Sequence, residues 1–215
     1  MKSITRIELE KLIAAGDILE KDGYGVKVVR LNDDRYLKIF NRRPGISMAK
    51  IFPRSKQFAR NARNLKKRRI TTVGIVEVFK ISDAESDCVI YHGIPGNTLR
   101  DVFKTKPKDP ELSKQAGAYI SQLHDAGVMF RSLHFGNIIV LADGSFGLID
   151  IADMRVNVFP LNRWQRKRNF QHVFRYQPDI DTVNMPAFIE GYEAYSSSAQ
   201  GLSKTISSIE PEKQR

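Results

Sequence analysis

The sequence predicts an α+β chain with strands gathered in its first half and helices in its second. Three observations carry this. Five short apolar or β-branched runs lie between Ile18 and Tyr91, separated by turns rich in Gly and Asp. Helical periodicity runs from Asp109 to Ala126 and recurs over 162–176 and 185–195. Between these helices sits one apolar hairpin: Ile138–Leu141, then the Asp-Gly turn of Ala142–Ser145, then Phe146–Ile149. Asn137 and Asp150 flank it, so their oxygens are expected to meet at its open end, in a pairing that suits magnesium.

The elements follow in order. Ile4 to Ala15 shows a rough helical pattern on a charged background. Ile18 to Leu31 reads as strand, turn and strand, with Gly23 and Gly25 in the turn, where bare backbone can approach a phosphate closely. Arg35–Phe40 is a third strand. Lys38 sits mid-strand among apolar residues, where an unpaired lysine is costly; a surface lysine on an edge strand is the alternative. Asn41 to Arg69 is the most basic stretch, and no acidic residue occurs between Asp34 and Glu77. Within it, Ser55 to Arg69 reads as a helix with Phe58, Ala62 and Leu65 on one face. Its charges suit a solvated face or an anionic surface, and both stay open.

Ile70–Phe79 and Cys88–Tyr91 complete the five strands, and Tyr91 to Gly96 breaks the pattern with Pro and Gly. Asn97 to Asp101 begins a short helix. Asp109 and Pro110 start a longer one as N-cap and first-turn proline. Its core face is Leu112, Ala116, Tyr119, Ile120 and Leu123, with His124 structural and Gly127 ending it. Asn162 to Tyr176 reads as a basic amphipathic helix, either packing inward or lying on an acidic surface. From Ser196 the chain is polar and Ser-rich.

A net charge of +11 over 215 residues favours an anionic partner: nucleotide, nucleic acid, anionic lipid or phosphorylated glycan. The single Cys88 excludes an intrachain disulfide and suits a reducing compartment. No apolar run follows Met1-Lys2-Ser3, and no stretch approaches the ~20 apolar residues of a membrane span. The expectation is a cytoplasmic protein, free or peripheral on the cytosolic face of the inner membrane.

Phe130-Arg131-Ser132-Leu133-His134-Phe135-Gly136-Asn137 resembles the kinase catalytic loop H-R-D-L-x-x-x-N, and Asp150-Ile151-Ala152 falls where kinases carry D-F-G. The segment from His124 to Arg155 is similar to small bacterial protein-kinase-like phosphotransferases: lipopolysaccharide-core sugar kinases, Rio-type kinases and "toluene tolerance" proteins. The resemblance implies a compact two-lobed protein-kinase-like fold with ATP between the lobes. An N-lobe over 1–91 would carry a five-stranded antiparallel sheet. A reduced helical C-lobe would span 92–195, and a flexible tail 196–215.

The resemblance also implies magnesium- and ATP-dependent phosphoryl transfer to a hydroxyl, on a lipopolysaccharide-core sugar or another envelope glycolipid. Asn137 and Asp150 would hold the metal. Gly23, Gly25 and Lys38 would bind nucleotide phosphates, although the family's third glycine is missing and Lys27 stands near its place. Tyr91 and Ile94 fall at the hinge that holds adenine. Asp101 would reach a ribose hydroxyl, with a plain helix-surface carboxylate an equal alternative.

Two departures stand out. Ser132 replaces the loop aspartate, and the helix from Ser55 to Arg69 lacks the glutamate that pairs with the strand lysine, offering only Asn61 or Asn64. Lys38 is then expected to find phosphate or Asp150. His134, two residues beyond Ser132, is the preferred base, and either residue would position the acceptor; a loop histidine that orients backbone is the other reading. Asp153 is close enough in sequence to help with metal or substrate. The expected partners are ATP, an anionic glycan or glycolipid, and an anionic membrane surface. A catalytically silent module binding nucleotide or an anionic partner is the alternative. Nucleic-acid binding rests on charge alone, with no recognisable motif.

Overall fold

Thr5 starts the first helix and so sets where the first strand ends. Its side chain caps Glu8 N while the Glu8 carboxylate bonds back to Thr5 N, a reciprocal capping box. Helix α1 (Arg6–Ala14) therefore begins after Ile4, which leaves β1 (Lys2–Ile4) extended. The computed structural model describes residues 1–41, 53–82, 86–203, 206 and 209, and the chain forms two units, Met1–Ile94 and Pro95–Arg215.

The first unit adds β2 (Asp17–Asp22), β3 (Gly25–Arg30), β4 (Arg35–Phe40), α2 (Arg54–Lys67), the two-residue β5 (Thr71–Thr72), β6 (Gly74–Ile81) and β7 (Asp87–His92). Its sheet has the order β1-β6-β7-β4-β3-β2. This corrects the expected five-stranded antiparallel sheet. Five strands pair antiparallel, and β1 adds a sixth, parallel to β6 with Ile4 opposite Ile81.

Side chains alternate across the strands. Leu37 and Ile39 join Val29, Cys88, Ile90 and Leu9 in one apolar cluster. Tyr36, Lys38 and Phe40 take the other face, where Phe40 and Tyr91 pack against Phe58 of α2. As expected, α2 buries Phe58, Ala62 and Leu65. Arg42, Arg43 and Lys50 lie outside the described residues.

The second unit carries β8 (Asn97–Thr98), α3 (Leu99–Thr105), α4 (Pro110–Asp125), β9 (Val128–Phe130), β10 (Ile138–Val140), β11 (Phe146–Leu148), β12 (Met154–Val156), α5 (Arg163–Val173), α6 (Gln177–Thr182) and α7 (Met185–Tyr195). β10 pairs antiparallel with both β8 and β11, and β9 pairs antiparallel with β12. Gly127 closes α4 at φ +75°, and a Cβ there would lie 2.6 Å from the Asn157 carbonyl oxygen. Only glycine makes this sharp exit into β9 without strain.

Helix α5 does more than present basic charge. Its Arg166 is fully buried, where it pairs with Asp125 and donates to Leu161 O and to the Tyr192 hydroxyl. Trp164, on the same helix, is exposed. After α7 a 3₁₀ turn spans Ser197–Ala199, and Ala199, Leu202 and Ile206 are buried; residues 204, 205, 207, 208 and 210–215 lie outside the described residues. Among the described residues, no helix is long and apolar enough to cross a membrane.

Candidate active site

The loop from Arg131 to Asn137 leaves β9, makes a 3₁₀ turn at Phe135–Asn137 and enters β10. Buried side chains hold its backbone at both ends. At the start, Asn169 Nδ2 donates to Phe130 O at 2.7 Å. At the far end, the fully buried Asp179 carboxylate accepts from Phe135 N at 3.3 Å, while Arg100 grips the same carboxylate through Nε (2.7 Å) and a terminal nitrogen (2.8 Å).

Behind Asn169 lies a polar chain. Its Oδ1 sits 3.0 Å from His124 Nε2, and His124 Nδ1 lies 2.9 Å from the Tyr192 hydroxyl. Because Asn169 Nδ2 faces Phe130 O, Oδ1 must accept, so His124 carries its proton on Nε2. Tyr192 then donates to Nδ1 and accepts from Arg166. The network is satisfied only with a neutral imidazole. Burial and the adjacent Arg166 push His124 down to about 3.

Asn137 and Asp150 flank the paired strands β10 and β11. Ile149 N donates to Asn137 O at 3.1 Å, closing the open end, and Asp150 follows directly. Asn137 Nδ2 donates to Ser132 O at 2.9 Å, which leaves Oδ1 as the amide's acceptor. Asp150 is left-handed at φ 51°, ψ 42°, a conformation that Asp tolerates better than most residues and that re-aims the chain into the 3₁₀ turn Ile151–Asp153.

His134 Nδ1 lies 3.5 Å from an Arg100 nitrogen, and Nε2 lies 3.4 Å from Asn137 Nδ2. Tyr176 packs edge-on against the ring and also lies under the Arg100 guanidinium. Burial, then the Arg100 charge, lowers the His134 pKa to about 4. Ser132 does not stand alone: its hydroxyl donates to Asp153 Oδ2 at 2.6 Å.

The other expected residues lie as follows. Lys38 is 7% exposed on β4, opposite Val28 and Val89, on the sheet face that bears Phe40. Gly25 has φ +120°, a conformation that favours glycine, whereas a Cβ at Gly23 would meet nothing within 4 Å. Tyr91 stacks on Tyr36, and Ile94 ends the first unit. Asp101 lies in the first turn of α3, where it accepts from the Thr98 hydroxyl (2.6 Å) and pairs with Lys104. Asn61, on α2, is buried and its Oδ1 accepts from Gln57. Cys88 is buried and its thiol is pushed up to about 12, which makes it chemically quiet.

Residues 99–192 match the lipopolysaccharide kinase (Kdo/WaaP) family. The match lies wholly in the second unit and contains the loop, the hairpin and Asp150. It agrees with the family that the loop motif resembles. No curated protein matches the chain.

Sequence reasoning did not find Arg100, Asn169 or Asp179. Asp179 had one available signal: Pro178 stands in the first turn of α6, a favoured helix-start position.

One prediction follows from His124. Its folded pKa lies below the ordinary value near 6.5, so the unfolded chain binds the extra proton as pH falls. The stabilisation is present above pH ~6.5 and is lost as pH drops towards 3. Urea unfolding between pH 7 and 4 should show wild type losing up to about 1.4 kcal/mol per pH unit more than His124→Gln. Parallel pH profiles for the two proteins would show that His124 is not held as a buried neutral imidazole.

Proposed function

We propose that the chain is an ATP- and magnesium-dependent phosphotransferase that phosphorylates a hydroxyl on a sugar of the lipopolysaccharide core or another envelope glycolipid. The observation that supports this reading is the closed hairpin end, where Ile149 N bonds to Asn137 O and Asp150 is the next residue, inside the segment that matches the lipopolysaccharide kinase family.

The donors fit magnesium: an amide oxygen and a carboxylate are hard ligands, and magnesium usually completes its shell with phosphate oxygens and water. In this reading the two residues hold the ion, and the nucleotide phosphates and water complete its shell. Magnesium, when bound there, supplies charge neutralisation to the phosphates. Lys38 takes the nucleotide phosphates, with Gly23 and Gly25 admitting them to the β2–β3 turn. Tyr91 and Ile94 serve the adenine, and Asp101 the ribose. Ser132 and His134 position the acceptor hydroxyl. Phosphoryl transfer passes through a loose transition state, so positioning and charge matter more than a strong base.

The silent-module reading draws on two features of the sequence: Ser132 stands where kinases carry their loop aspartate, and α2 has no acidic residue.

A membrane contact belongs to the same proposal. A groove of about 850 Å³ lies between α2 and β6, lined by Ile75, Val76 and Val78, by the exposed Arg63, Lys66 and Arg69, and by Glu77. Apolar side chains beside an excess of cations suit an anionic glycolipid or membrane surface at the cytosolic face of the inner membrane.

Magnesium-ATP should raise thermal stability, as any ligand selective for the folded state does. Asp150→Ala should abolish the magnesium-dependent part of that shift. A calorimetric titration with no heat of binding at millimolar ATP would exclude both the enzyme and a nucleotide-binding silent module.

Charge reversal of Arg60, Arg63, Lys66 and Lys67 should weaken binding to anionic vesicles while leaving ATP binding intact. Wild-type vesicle binding should itself fall with salt, because exposed charges are screened beyond ~8 Å at physiological ionic strength. Equal vesicle binding by the reversed variant would assign the run to a solvated face.

A further inference from the structure

Strand register brings a second carboxylate to the loop. β9 and β12 pair with Phe130 opposite Met154, so the chain leaves this ladder with Arg131 and Asp153 side by side and Ser132 one residue beyond. Ser132 Oγ donates to Asp153 Oδ2 at 2.6 Å, a short charge-assisted bond. The other oxygen, Asp153 Oδ1, is buried and has no hydrogen-bond partner. Among the described residues no basic side chain pairs with Asp153, and the Ser132 hydroxyl is its one hydrogen-bond donor.

A buried carboxylate oxygen left unbonded is costly and calls for an explanation. A structural aspartate in this position would be expected to bond backbone N–H groups, as Asp179 does. Asp153 spends its bond on the one hydroxyl that stands where kinases carry the loop aspartate.

We propose that Ser132 and Asp153 act together as the proton acceptor for the phosphate-accepting hydroxyl. This rests on the phosphotransferase reading and deepens it by naming the group that replaces the missing loop carboxylate. The acceptor oxygen forms its bond to the γ-phosphorus as the bond from that phosphorus to the β–γ bridging oxygen breaks, and ADP leaves with the bond pair. The acceptor proton moves to Ser132 Oγ as the Ser132 proton moves to Asp153 Oδ2. Asp153 ends neutral and returns its proton to water. Ser132 touches the substrate, and Asp153 is the positioning residue that acts through it. His134 orients the acceptor and takes no proton.

The test is single-turnover transfer from γ-labelled ATP to a dephosphorylated lipopolysaccharide core oligosaccharide, with ATP affinity and thermal stability measured on each variant. Asp153→Asn keeps the shape and removes the charge. It should slow transfer by roughly 10²–10⁴-fold, the range of a positioned acid–base group, with ATP affinity unchanged. Ser132→Ala should lose a comparable factor, because it breaks the relay at its other member. Adding Ser132→Asp to Asp153→Asn returns a carboxylate to the loop and should recover at least tenfold, which a purely structural role for Asp153 would not allow. If Asp153→Asn fails to fold, Ser132→Ala decides.

An active wild type with an unimpaired Asp153→Asn, or with an unimpaired Ser132→Ala, would overturn the relay and leave the phosphotransferase reading standing. A wild type that binds magnesium-ATP and transfers nothing would overturn both.

Discussion

The loop over 131–137 is held from beneath, and the placement of Ser132 and His134 depends on that hold. Asn169 fixes the carbonyl of Phe130 and Asp179 fixes the amide of Phe135. Ser132 and His134 lie between these points, and Asn137, two residues beyond, ties back through its Nδ2 to Ser132 O. The anchors are themselves anchored: Asp179 by a two-point grip from Arg100, Asn169 by His124 and through it by Tyr192 and Arg166. Asp179 is fully buried and Arg100 partly so, so removing Arg100 leaves a buried carboxylate without its partner, a loss that costs about 3–5 kcal/mol when both partners are buried.

This arrangement explains how two of the chain's many cations are used. Arg100 and Arg166 neutralise Asp179 and Asp125 inside the second unit. Lys56, Arg60, Arg63 and Lys66 instead face solvent along α2. The same excess of positive charge does two kinds of work. Internal arginines fix geometry through directional bonds, while exposed ones set a long-range field that favours an anionic partner.

The hairpin that carries part of the candidate site was legible in the sequence because it is local. The hairpin signal at Asp143-Gly144 placed Asn137 and Asp150 at one end, and the structure closes that end through Ile149 N and Asn137 O. Lys38 could be singled out because a lysine between Leu37 and Ile39 breaks the apolar pattern, and it is buried. The illegible part is long-range. Asp179 lies 44 residues from Phe135, and no periodicity links them. Arg166 sits in a run of basic residues that reads as a surface, and only the packing of α4, α5 and α7 shows it to be interior. The strand β1 was missed for a local reason: Thr5 and Glu8 form a capping box that cuts the helical pattern short at Arg6. The Ser132–Asp153 bond needed the β9–β12 register, which three-residue strands do not announce.

The measurement that bears most directly on the central claim is phosphorus-31 spectroscopy of a dephosphorylated lipopolysaccharide core oligosaccharide incubated with the wild-type protein and magnesium-ATP. A new phosphomonoester resonance, carried by the oligosaccharide, should grow in step with ADP. Spectra that show intact ATP and an unmodified oligosaccharide, from protein that calorimetry shows to be saturated with nucleotide, would contradict it and identify the chain as a nucleotide-binding module without transfer chemistry.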